Sequence, residues 1–129
     1  MAKKRTSNSI TYRGFFHLPS ALIDHPDYIA LSDGARSPLT FIGRQYRGHN
    51  NGDLQATMSY MANYGYTSNR ALTAHRKELL ERNWIFKTKI GGLGLGPDLF
   101  AITWQPIDEC NGKLDVNPTR TPIRSLRDK

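Results

Sequence analysis

At Trp84 the hydrophobic period of this chain changes from that of a helix to that of a strand. That change constrains what residues 54–104 can become. Upstream, from about 68 to 82, steps of about 100° per residue place Leu72 and Leu79 on one face. Arg70, Thr73, Ala74 and Lys77 fall on the opposite face. Downstream, 84–90 and 99–104 are two apolar, aromatic-rich runs of strand character. The stretch between them, Gly91-Gly92-Leu93-Gly94-Leu95-Gly96-Pro97-Asp98, makes the pair a hairpin with a long glycine-rich tip. Trp84, Phe86, Phe100 and Trp104 on these strands, and Tyr46 before them, read as core side chains.

The rest of the chain supplies what packs on this unit. Residues 57–64 read as a helix ended by Gly65, which permits a positive φ. Tyr66 then plugs the space between two helices, and Thr67 or Ser68 can cap the second. Earlier, Ser32-Asp33-Gly34 offers a cap to a helix carrying Ala35, Leu39, Phe41, Ile42 and Tyr46. Pro38 leaves two starts open: at Ser37 with proline in the first turn, or near Asp33 with a bend at Pro38. The run from Arg47 to Asp53 ends that helix with several turn formers, and Leu54-Gln55-Ala56 reads as a short strand. Residues 14–18 read as extended, 19–24 as a short helix begun by Pro19, and 25–28 as a turn. The order predicts an α+β fold with a three-helix core and a small antiparallel hairpin. Residues 1–13, with Lys3, Lys4, Arg5 and Arg13, read as a flexible basic arm, and 14–107 as the folded domain. Residues 108–129 have no periodicity. They carry Pro118, Pro122 and five cations (Lys113, Arg120, Arg124, Arg127, Lys129), and read as a disordered basic tail.

Charge narrows the partners. Eighteen Lys and Arg against 11 Asp and Glu give a formal net charge of +7. Such a balance favours a polyanion, because neutralising phosphates releases counterions. The single cysteine, Cys110, excludes an internal disulfide and a thiolate metal cluster, in keeping with a cytoplasmic, nucleoid-associated location. No apolar run approaches the roughly 20 residues of a membrane span, so no membrane partner is expected. His17, His25, His49 and His75 have no metal-ligand spacing among themselves or with Cys110, and the acids form no paired cluster for Mg²⁺. There is no nucleophile elbow, and no Gly-Lys-Ser/Thr follows the glycines. The sequence therefore predicts no catalysis, no cofactor and no metal.

The helix at 68–82 has the layout for entering a major groove: an apolar stripe behind and a small, polar, cationic face in front. Asn69, Arg70 and Thr73 can meet base edges, small Ala74 permits close approach, and Ser68 stands at the helix start. Arg70, Lys77, Lys87 and Lys89 are the expected phosphate contacts, the last two because alternation makes one strand face cationic. His75 reads as a packed edge residue or a phosphate contact, and Arg76 as a side chain snorkelling over the core edge or a phosphate contact.

The segment from Arg70-Ala71-Leu72 through Glu78-Leu79-Leu80-Glu81-Arg82-Asn83-Trp84-Ile85 resembles the end of winged helix-turn-helix domains. There a recognition helix closes in a Leu-Glu-Glu-x-Gly-Leu-Ile-like segment and enters the wing. The openings Phe-Phe-His-Leu-Pro, Leu-Ser-Asp-Gly-Ala-Arg and Gln-Tyr-Arg-Gly-His-Asn-Asn-Gly-Asp-Leu are similar to small winged helix proteins of phages, plasmids and integrated elements. The likeness covers roughly residues 14–106. Asn83 stands where that family has Gly, and Asn tolerates the left-handed turn. The resemblance implies a sequence-specific double-stranded DNA-binding protein, a transcriptional regulator acting as a homodimer, with Phe15, Phe16 and Leu18 as the dimer surface. Two alternatives stay open: a replication or partition protein, and a mobile-element inhibitor that binds a host protein or defence complex.

Overall fold

The computed structural model describes residues 14–126. The expectations for Lys3, Lys4, Arg5, Arg13, Arg127 and Lys129 lie outside those residues. The chain forms α1 (Ser20–Ile23), α2 (Pro26–Ile29), α3 (Asp33–Gly43), α4 (Met58–Met61), α5 (Asn69–Glu81), β1 (Ile85–Lys89) and β2 (Leu99–Ile102). It is a small α+β fold whose two strands pair antiparallel as a hairpin. Among the described residues, no helix is long and apolar enough to cross a membrane.

Local chemistry sets the helix boundaries. Ser32, Thr57 and Ser68 are the N-caps of α3, α4 and α5, and their hydroxyls accept from the amides of Ala35, Tyr60 and Ala71 at 3.2, 3.1 and 3.1 Å. The expected helix over 57–64 is one α-turn followed by a 3-10 turn at Ala62–Tyr64, ended by Gly65 at φ 98°. Of the two starts open for α3, the structure takes Asp33 and runs on through Pro38. The proline has no N–H, so the Gly34 carbonyl loses its helical partner. The Tyr66 hydroxyl lies 3.5 Å from that oxygen. Asn83, at φ 62°, turns the chain from α5 into β1.

Three local expectations are corrected. Residues 25–28 are not a plain turn. The imidazole of His25 accepts from the Asp27 amide at 3.0 Å and caps α2, which Pro26 starts. Leu54–Ala56 is not a strand: Leu54 makes one bridge, to Phe100, with bonds of 3.1 and 2.8 Å. Phe86 is not core but 38% exposed, whereas Thr88 is buried. The register explains this, since pairing skips from Lys87–Phe100 to Lys89–Leu99 and leaves Thr88 as a bulge that breaks strict alternation.

The core joins Leu22, Leu39 and Ile42 to Leu54, Met61, Leu72 and Leu79, and then to Ile85, Phe100 and Ile102. Trp84, fully buried, meets His25, Tyr28 and Trp104 edge-on at 5.7, 6.0 and 6.1 Å. α3 crosses α5 at close range because Gly34 has no side chain: a Cβ there would run into the His75 ring. Glu78 on α5 fixes the same crossing, accepting from the Ser32 amide at 2.8 Å and its hydroxyl at 2.7 Å. Those two donors hold the Glu78 carboxyl below its ordinary value.

The expectation of a disordered tail is corrected for residues 108–126. Its anchor is Asn51, a fully buried side chain that accepts from the Ile102 amide at 2.8 Å. Asn51 also donates to the carbonyls of Ile102, Gln105 and Pro106 at 3.0, 3.0 and 2.8 Å. Its own backbone exchanges bonds of 2.8 Å with Asp108. Farther on, Arg124 lies 4.0 Å over the Trp84 ring and donates to the Arg82 and Asn83 carbonyls at 2.7 and 3.3 Å. It also pairs with Asp27 at 2.8 Å, and Leu126 packs on the core. The segment is irregular, yet specific side chains hold it. Lys113 pairs with Asp53 at 3.0 Å.

Candidate nucleic-acid interface

Helix α5 is set by its two leucines. Leu72 and Leu79 are fully buried, so the opposite face must point outward. Ser68, Asn69, Arg70, Thr73, Ala74 and Lys77 are all exposed. Small Ala74 lies between Arg70 and Lys77, which leaves the centre of this face low. Arg70 makes no ion pair or hydrogen bond with any described residue. Lys77 pairs with Glu81 at 3.1 Å, with both side chains more than half exposed. Such a surface pair is worth about 0–1 kcal/mol and yields to a better anion. The Ser68 hydroxyl is committed to its cap, so its part in any contact is to hold the first turn.

Two further residues of α5, Arg76 and His75, turn toward the neighbouring elements. Arg76 donates to the Ala56 carbonyl at 2.7 Å. His75 lies against Gly34, its Nδ1 2.9 Å from the Tyr66 hydroxyl. Both are packing residues that lock α5 to its neighbours.

On the hairpin, Lys87 and Lys89 both meet carboxylates. Lys87 reaches Asp98 across the hairpin at 3.1 Å, and Lys89 lies 4.0 Å from Asp115. The same carboxylates hold the base of the tip. Asp98 accepts from the Gly91 amide at 2.7 Å and Asp115 from the Ile90 amide at 2.9 Å. The Gly91 amide holds Asp98 below the ordinary carboxylate range, with Lys87 adding to it. Each strand lysine thus has a carboxylate of the fold beside it, which Arg70 lacks among the described residues. Beyond them, residues 90–97 carry no charge. A Gly92–Gly96 bridge and a Leu95-to-Gly92 bond shape the tip, and Leu93 and Leu95 stand exposed.

Thus the structure gathers Asn69, Arg70, Thr73, Ala74 and Lys77 on one surface and leaves Lys87 and Lys89 on a separate, self-paired element. Gly34, Ser32 and Glu78 position this surface through contacts between α5 and the start of α3. Their partners lie far along the chain. No group of His, Cys, Asp and Glu among the described residues is placed to hold a metal ion. Compared with protein-family models, curated proteins and solved structures, the chain matches none.

Proposed function

We propose that the protein is a winged helix-turn-helix DNA-binding protein that lays the outer face of α5 in the major groove. On this reading it is a sequence-specific regulator of transcription for a phage, plasmid or other mobile element. The observation that carries the proposal is the outer face of α5. Arg70, without a partner among the described residues, stands with Asn69, Thr73 and low Ala74 on a 13-residue helix anchored by two fully buried leucines. Arg70 and Asn69 have the donors that read guanine and adenine edges, and Lys77 can trade Glu81 for a phosphate. The net charge of +7 supplies attraction at a distance. Selection of bound duplexes from a random pool tests this reading. An enriched motif supports sequence-specific binding, and two copies at a fixed spacing would reveal a dimer. A pool that stays random at every salt concentration contradicts it.

One observation favours the protein-binding alternative. The hairpin presents two bare leucines on a tip without charge, which suits an apolar pocket better than a phosphate backbone. That reading predicts no enriched motif and only weak, salt-sensitive binding to any duplex.

A further inference from the structure

The opposite end of α3 from Gly34 carries a second surface, which the reading above does not use. Gly43 is buried because the Phe16 ring lies on it, and a Cβ there would come within 2.8 Å of the ring. Beside this contact opens a cleft of about 400 Å³, lined by Gly14, Phe15, Phe16, Arg44, Tyr46 and Arg47. Among the described residues, no carboxylate lines it. Asn50 holds the Arg47 backbone amide at 2.7 Å, while the Arg47 guanidinium has no partner among the described residues. Phe15 is 82% exposed, which is costly for a phenyl ring and leaves its face open. From Arg44 the aromatic character continues away from the cleft. The Tyr60 hydroxyl donates to the Phe41 carbonyl at 3.1 Å, and Tyr64 stacks on Phe41 at 4.1 Å. Burial and Tyr64 push Tyr60 up to about 12 while Arg44 pulls the other way, so the guanidinium stands near that hydroxyl.

Two arginines without a carboxylate between them ask for an anion, and guanidinium forks match phosphate oxygens. The open ring asks for a flat apolar partner. A duplex keeps its bases stacked inside and offers no base face, whereas a single strand offers both phosphates and base faces. An acidic peptide would satisfy the arginines but leave the ring without a planar partner.

We propose that this cleft binds single-stranded nucleic acid, with a base stacked on Phe15 and the flanking phosphates on Arg44 and Arg47. This goes beyond the duplex reading and does not depend on it. The test is fluorescence anisotropy of the full chain with a labelled oligothymidylate of about 12 nucleotides. A labelled duplex and polyglutamate as competitor run alongside. Phe15→Ala should weaken oligothymidylate binding about tenfold, and Phe15→Tyr should restore it. Arg47→Ala should weaken it and reduce the slope of log affinity against log salt by about 0.7. Both side chains are exposed, and far-UV circular dichroism verifies that the variants fold. The proposal fails if the parent does not bind oligothymidylate, or if Phe15→Ala binds it as the parent does. It fails equally if polyglutamate displaces the strand as well as unlabelled oligothymidylate does, which would assign the cleft to an acidic protein.

Discussion

Replacing Asn51 with leucine should cost about 3–5 kcal/mol of folding stability. The side chain is fully buried, and leucine has the same branching but more bulk, so no cavity opens and any packing cost is crowding. What is lost is the set of hydrogen bonds. The Ile102 amide loses the acceptor it holds at 2.8 Å, and the Ile102 carbonyl loses its donor at 3.0 Å. Both lie inside the core, where an unsatisfied group costs about 1–3 kcal/mol. The carbonyls of Gln105 and Pro106 sit on half-buried residues and recover part of their loss from water. Two fully charged penalties and two discounted ones give the quoted range, a large share of the roughly 5–15 kcal/mol of a typical domain. Urea unfolding followed by tryptophan fluorescence reads the change, since Trp84 and Trp104 are both buried. Hydrogen exchange at the Ile102 amide should accelerate with it. A loss below about 1 kcal/mol would mean that these carbonyls and amides find other partners. The view of Asn51 as the anchor of the C-terminal segment would then be wrong.

Three further outcomes follow from the same geometry. Gly34→Ala should lower stability by about 1–3 kcal/mol by forcing α3 away from His75. Adding His75→Ala should recover part of that loss in a double-mutant cycle of thermal unfolding. Arg124→Ala should cost about 2 kcal/mol, because it removes a buried stack on Trp84 and charged bonds to the Arg82 and Asn83 carbonyls. A free tail would give no change in the urea midpoint. Glu78 is held below its ordinary value of 4.5 by Ser32, and Asp27 below 3.8, chiefly by its bond to Arg124. A carboxyl depressed on folding contributes stability that is present above its unfolded value and lost as pH falls through the folded one. Urea midpoints should therefore drop as the pH falls below the ordinary carboxylate range, and Glu78→Gln should drop less steeply.

What could be read from sequence was local. The Ser68 cap, the positive φ at Gly65 and Asn83, and the buried pair Leu72 and Leu79 depend on neighbours within a few turns. So does the outward placement of Asn69, Arg70, Thr73, Ala74 and Lys77. The features that the sequence does not disclose depend on distant partners. Ser32 and Glu78 are 46 residues apart, Asn51 and Ile102 are 51, and Arg124 and Asp27 are 97. Periodicity carries no signal at such separations, so Asn51 read as a turn former and Arg124 as one cation of a loose tail. The carboxylates beside Lys87 and Lys89 were illegible for a related reason: alternation concerns one strand, whereas Asp98 and Asp115 come from elsewhere in the chain. The bulge at Thr88, which turns that side chain inward, comes from the register with β2, and one strand's sequence does not encode that register.

The central claim is that the outer face of α5 meets duplex DNA through Arg70. The most direct measurement is the affinity of the parent and of Arg70→Ala for a selected duplex, by anisotropy across a salt series. Arg70 has no partner among the described residues and lies opposite the buried leucines, so its truncation leaves the fold intact. The account predicts a loss of about 1–3 kcal/mol, seen as a Kd about 5- to 150-fold higher. A phosphate contact would also flatten the salt slope by about one unit, whereas a base contact would keep the slope and relax the selected motif at one position. An Arg70→Ala protein that binds the selected duplex with the parent's affinity, slope and motif would contradict the claim.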